Sequence, residues 1–412
     1  MLFRAHHEER AARRRDEAQR PLPLAGRRAR GPRGAHLTLT SISDLLAGRR
    51  IVVCAGSGGV GKTTTAAALA MGAAAEGAKV AVVTIDPARR LANSLGLEEL
   101  GNEPRLIDRE RFAEHGVEMR GELWALMLDS KRTFDELIEH LAPDARTRDE
   151  VLSNRIYAQL SNAVAGSQEF TAIAKLYDLH AGGEFDLLVL DTPPSRNALD
   201  FLDAPQRLTG FFQGRALKMF LRPAGIGGRI LGRGTGVAFG LLRRVTGVDL
   251  LEDLSVFFRA LGGMIDAFAA RADRVSSLLA DPATTFLIVT SPQHDPVQEA
   301  IFFHRKLREA GMPFGGVVVN RLHTAPELNG EPPPDLVAEL GERLAGRVAT
   351  SARELAALAE RDAANVAHLR ERLGDPPLVI VPERQDDVHD VAGLAHVRAH
   401  LWGEQLSGER SP

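Results

Sequence analysis

One cysteine, Cys54, is all that the 412-residue sequence carries. Neither an intramolecular disulfide nor a multi-thiolate metal site within one chain can therefore form. Surplus positive charge is missing as well: the formal net charge is -3, and without a global basic excess nothing predicts a specific nucleic-acid partner. No apolar run approaches the roughly 18 residues that cross a bilayer, and no signal-peptide core follows the N-terminus. A cytoplasmic protein is the expectation. What is present suffices for a large core, since 44% of the residues are hydrophobic.

The stretch Gly56-Ser57-Gly58-Gly59-Val60-Gly61-Lys62-Thr63 fits the phosphate-loop pattern G-x-x-x-x-G-K-[ST] without a mismatch. Its context agrees with the pattern. The β-branched run Ile51-Val52-Val53 predicts a strand entering the loop, and the Ala-rich run 64–75 predicts a helix leaving it. Glycines let the backbone aim successive N–H groups at phosphate oxygens, and the helix points its positive end at the same place. The amides of this loop, continuing to Thr64, would cradle the phosphates while Lys62 bridges the β- and γ-positions. The Thr63 hydroxyl is a candidate Mg²⁺ ligand.

Residues 1–40 are crowded with arginine (Arg13-Arg14-Arg15, Arg27-Arg28, Arg30) and broken by Pro21, Pro23 and Pro32. This composition reads as disorder; a basic arm for an anionic surface, or a start placed ahead of the real domain, are the alternatives. Beyond the loop helix, 79–85 (KVAVVTI) reads as a second strand and delivers Asp86 to the same sheet edge. Strands are also expected at 121–128, 185–190, 285–290, 316–319 and 378–381, with helices over 129–179, 296–310 and 351–373. Trp124, Phe134, Leu137, Ile156, Leu160, Phe170, Ile173 and Leu176 carry the spacing of core positions. The run FDLLVL ends in Asp191-Thr192-Pro193-Pro194, the form of an aspartate that holds Mg²⁺ through a water. Over 204–280 the pattern is helical with a Gly-rich interruption. It suits a helical subdomain with a loop, or a surface that receives an apolar partner.

Taken together, GSGGVGKTT, DPARRL, DTPPSRNALDFLDAP, VVVNRL and VPERQDD resemble, in order and form, the ArsA-type ATPases. That family includes arsenite-pump ATPases and the ATPases that deliver tail-anchored membrane proteins. The resemblance runs from about residue 50 to the C-terminus. It implies an α/β fold with a mostly parallel sheet, a P-loop and a helical insertion. It implies ATP and Mg²⁺ as cofactors, with Asp86 orienting the attacking water, Asp191 on the metal, Asn320 reading adenine and the segment beginning at Pro382 closing over the base. The expected organisation is a basic tail over 1–45, an ATPase domain over 46–403 with its insertion at about 204–280, and a polar tail over 404–412.

Three departures from the family pattern bear on function. Ser57 stands where the family usually has a second lysine that reaches across a dimer. Its loss points to slow hydrolysis, to rescue by Arg89, Arg90 or Arg196, or to a heterodimer with a paralogue that keeps the lysine. A lone Cys54 inside a strand can build neither a thiolate arsenite site nor a zinc clasp, which argues against soft-metal transport. Seven methionines are too few for a Met-lined client groove. The expected partners are a second copy or a paralogue, and an apolar or membrane-protein client met in the cytoplasm or peripherally at the membrane. A positioning ATPase of the related ParA and MinD kind is the rival from another functional class. His304, His323 and His389 show no ligand spacing.

Overall fold

The structure, a computed structural model, describes residues 42–86, 88–155, 157, 168–192, 257, 260, 262, 264–328, 330–384 and 387–404. In chain order the elements are α1 (Ile42–Leu46), β1 (Ile51–Ala55), α2 (Lys62–Ala75), β2 (Lys79–Thr84), α3 (Arg90–Ser94), β3 (Arg105–Leu106), α4 (Glu110–Ala113) and β4 (Glu122–Met127). They continue with α5 (Ser130–Leu141), α6 (Ala145–Leu152), α7 (Gln168–Gly182), β5 (Leu187–Asp191), α8 (Ile265–Ala280), β6 (Thr284–Thr290) and α9 (His294–Glu309). Last come β7 (Phe314–Leu322), α10 (Pro334–Leu340), α11 (Glu342–Leu373), β8 (Leu378–Pro382) and α12 (Val391–Trp402).

The strands form one sheet of eight in the order β3-β4-β2-β5-β1-β6-β7-β8. Every pairing is parallel except that of β3 with β4. Helices on both faces bury the central strands completely, which is why IVVCA, LLVLD and TTFLIVT read as continuous apolar runs. Alternate residues feed two separate cores. Ile51 and Val53 face a cluster that includes Phe134, Leu137, Ile173, Leu176 and Phe268, whereas Val52 and Cys54 face one built on α2 and α12. From β1 the chain winds one way to β2 and β4, and later the other way through β6, β7 and β8. This reversal opens a crevice at the carboxyl ends of the strands beside β1.

Among the described residues the expected strands and helices are present, with several differences. Asp191 is the last residue of β5 rather than a residue beyond it, and Asn320 lies inside β7, which continues to Leu322. Helix α11 starts at Glu342, nine residues before the expected position, because its first turns are polar on most sides and carry no apolar stripe strong enough to mark them. The antiparallel β3, the short α3 and α4, and the closing helix α12 had no expectation. Ile42 is fully buried in the core of α2 and Val52, so the boundary expected at 46 falls within α1. Trp124 is half-buried against the other core. Ile156, Leu160, the Phe170 side chain, most of the expected insertion and residues 405–412 lie outside the described residues.

Candidate nucleotide-binding site

The phosphate loop turns where β1 ends. Gly59 (φ 79°) and Gly61 (φ 92°) occupy the left-handed region that glycine adopts without steric cost. A Cβ at Gly61 would collide with the amide nitrogen of Asn320, and one at Gly56 with the Val289 carbonyl. The loop is therefore wedged between β6 and β7, and the pattern's glycines are required by space as well as by torsion. Asn320 Nδ2 donates to the Val60 carbonyl at 3.0 Å, so the residue expected at the base also pins the loop.

Lys62 opens α2, is 6% exposed, and its Nζ donates to the Ser57 carbonyl at 2.8 Å. Burial pulls its pKa below the usual lysine range, an effect that Asp191 opposes. The Ser57 hydroxyl is buried without a hydrogen-bond partner.

One carboxylate gathers the floor of the site. Asp191 Oδ2 accepts from Thr63 Oγ1 at 2.7 Å and from Thr84 Oγ1 at 2.8 Å, and the Thr84 oxygen also accepts from the Asp86 backbone N–H at 3.2 Å. Asp191 is 1% exposed, and its other oxygen, Oδ1, has no partner. Burial pushes its pKa up to about 6 in spite of the two hydroxyls, which favour the charged form. A buried carboxylate oxygen without a donor, beside a threonine hydroxyl, is the donor set a hard divalent cation takes. The residues present thus fit Mg²⁺.

Asp86 follows β2 at the same edge. Its Oδ1 accepts from the Ala88 N–H at 2.9 Å and its Oδ2 lies 3.6 Å from Arg90 Nε. Of the two described arginines considered to replace the missing lysine, Arg90 lines the crevice and Arg89 does not. Arg89 takes a left-handed conformation (φ 57°) and lies 3.9 Å from Glu99, away from the cavity, and Arg196 lies outside the described residues.

A cavity of about 390 Å³ joins these parts. Its wall includes Gly59, Gly61, Lys62, Thr63, Thr64, Asp86, Asn320 and Pro382. Gly56, Ser57, Gly58 and Val60 shape the loop behind that wall, and Asp191 lies beneath the floor. Two contributors, Thr84 and Arg321, escaped the sequence reading. Thr84 is a polar residue ending an apolar strand, which was the available signal. Arg321, in the left-handed region (φ 63°), sits where the β7 to β8 register shifts and reaches Asp387 at 3.2 Å. Thr192 Oγ1 donates to the Cys54 carbonyl at 2.8 Å, locking the end of β5 to β1. Of the histidines set aside earlier, His304 packs on Phe314 and His323 contacts Asp362, whereas His389 approaches Asp387 and lines the nucleotide cavity.

A parallel sheet that reverses its winding at a strand, glycine loop and helix carrying Lys62-Thr63 defines a P-loop nucleotide-binding protein. A sequence model of the anion-transporting ATPases matches residues 49–332, well over half the chain, and the chain belongs to this ArsA family. It is similar to the ATPase ARSA1 of Chlamydomonas reinhardtii, at 26% identity over 343 residues that cover 74% of this chain and 40% of ARSA1. With the ATPase GET3 of Malassezia globosa it shares 26% identity over 276 residues, 66% of this chain and 72% of the relative. With the ATPase GET3C of Arabidopsis thaliana it shares 25% identity over 283 residues, 66% of this chain and 67% of the relative. The chain thus spans less than half the length of ARSA1. Among the described residues no helix is long and apolar enough to cross a membrane.

Proposed function

We propose that the chain is a Mg²⁺-dependent ATPase that works as a dimeric switch, coupling hydrolysis to the binding and release of an apolar or membrane-protein client. The observation that carries this reading is the convergence of the Thr63 and Thr84 hydroxyls on one oxygen of buried Asp191, whose other oxygen lacks a donor. Lys62 and the loop amides would hold the phosphates, and Thr63 with Asp191 would hold the cation. When bound, Mg²⁺ supplies charge neutralisation between the β- and γ-phosphates. Asp86 accepts a proton from, or orients, the attacking water in line with the leaving oxygen. Arg90, beside Asp86, offers the positive charge that Ser57 does not. The segment 193–205 follows Thr192 directly in sequence, and through it a change at Asp191 would pass to the client-binding region.

Steady-state ATP hydrolysis tests this, measured beside Lys62→Ala and Asp86→Asn, with the mass in solution recorded with and without nucleotide. The expected result is turnover that both substitutions abolish, from an ATP-dependent dimer. Turnover that survives both substitutions would refute the assignment. Ser57 favours a second reading, a nucleotide-binding and weakly hydrolytic subunit completed by a paralogue. Tight Mg²⁺-ATP binding without turnover, restored by adding that paralogue, would select it.

A further inference from the structure

Helix α11 is 32 residues long, and one of its faces changes surroundings halfway along. At about 100° per residue, Leu344, Val348, Ser351 and Leu355 fall within the same arc of about 60° as Asp362, Val366, Leu369 and Leu373. The second half of this face is buried, with Val366, Leu369 and Leu373 in the core that holds Phe303 and Val317. The first half is bare: Leu344 is 46%, Val348 37% and Leu355 36% exposed. There the helix packs through its adjoining side, where Ala345, Ala349 and Ala352 are buried. Sparse as it is, a seam with steps of four, three and four residues is the pattern by which one helix packs along another. Arg347 and Glu354 edge the seam on the side away from the alanines. Both are exposed, and among the described residues neither has a hydrogen-bond or ion-pair partner.

We propose that this half of α11 is a docking surface for α11 of a second copy of the chain, paired antiparallel about a two-fold axis. In that register Leu344 of each copy lies against Leu355 of the other, and Val348 against Ser351. The flanks then bring Arg347 of each copy to Glu354 of the other, and the two-fold axis makes this ion pair twice. A parallel pair would set Arg347 and Glu354 beside Ala352 and Ala359 instead, so charge selects the antiparallel form. A shallow hollow of about 400 Å³, bordered by Leu340, Leu344, Arg343 and Arg347, opens where Leu355 of the second copy seats. With only about three turns of helix and serine in the middle of the seam, the contact is weak and reversible. None of its residues lines the nucleotide cavity. It therefore goes beyond the nucleotide-driven dimer: where both contacts form, α11 joins one dimer to the next.

The test is sedimentation equilibrium of the full chain without nucleotide across a wide concentration series, so that its outcome does not depend on hydrolysis. The parent should show a reversible monomer to dimer equilibrium. Leu344→Asp should abolish it, because the new carboxylate meets Leu355 of the second copy at both ends of the seam. Arg347→Glu and Glu354→Arg should each weaken pairing about tenfold, since each sets like charges against one another twice. Both reversals in one chain should restore the parent affinity, a result that general surface stickiness does not give. Thermal unfolding is recorded for every variant. A parent that stays monomeric throughout, single reversals that pair like the parent, or a double reversal no tighter than the singles would overturn the proposal. So would Leu344→Asp that pairs normally while its unfolding midpoint falls, since the seam is then covered from within its own chain.

Discussion

Thr63 and Asp191 stand 128 residues apart in the sequence, and the Thr63 hydroxyl donates to the Asp191 carboxylate at 2.7 Å. The register explains the meeting. Asp191 pairs with Cys54 on β1 and with Thr84 on β2, so the last turn of three elements falls on one point. A parallel sheet places strand ends together, and the hydroxyls of α2 and β2 then have one acceptor to share.

Asp191 makes stability depend on pH in a definite direction. Its folded pKa of about 6 lies above the ordinary value of 3.8. Between these values the folded chain keeps a proton that the unfolded chain has lost. The contribution is full below pH 3.8, fades as pH rises through about 6, and amounts to about 3 kcal/mol. In Mg²⁺-free buffer, denaturant unfolding of the parent chain should fall in stability across this window relative to Asp191→Asn. Parallel curves for the two proteins would contradict the raised value.

Thr84→Val keeps the shape of β2 but removes one of the two hydroxyls that stabilise the charged Asp191, together with the acceptor of the Asp86 N–H. The expected cost is about 1–3 kcal/mol in thermal or denaturant unfolding. Hydrolysis should decline as well, because Asp86 loses its anchor. A variant that unfolds and turns over like the parent would show that the hydroxyl has no structural part.

Gly61→Ala should be severe. The new methyl would meet the Asn320 amide at a residue whose φ is 92°. Strain of about 1–3 kcal/mol is expected, with loss of nucleotide binding, measured with a fluorescent ATP analogue. Retained affinity would mean that Asn320 can swing away freely.

Arg90→Ala should lower kcat by tenfold or more while KM for Mg²⁺-ATP changes little, since a charge that acts mainly in the transition state affects kcat. Arg90→Lys should restore part of the loss. Arg89→Ala, whose side chain lies 3.9 Å from Glu99 outside the cavity, should be near neutral. Equal effects at both positions would remove Arg90 from the mechanism.

Most of the sheet was legible because its central strands are buried on both faces and spell nearly continuous apolar runs. The P-loop was legible because its chemistry needs fixed residue types at fixed spacing. Thr84 and Arg321 were not, since what each does depends on register between strands distant in sequence. Helix α12 escaped for a related reason. It is apolar nearly all round, with Val391, Leu394, Val397 and Leu401 all buried, so it lacks the amphipathic stripe that marks a surface helix.

The contact between α12 and α2 has a consequence for synthesis. Trp402 Nε1 donates to Glu76 at 2.7 Å across 326 residues, and its ring lies against Gly72. A ribosome adding about 5–20 residues per second needs on the order of tens of seconds to make that stretch. Throughout that interval the Ala-rich face of the P-loop helix has no α12 to cover it, and the cavity wall from Val381 to Val397 does not exist. The nascent chain must carry an open apolar seam beside an incomplete nucleotide pocket, which places this surface within reach of chaperones before ATP can be held.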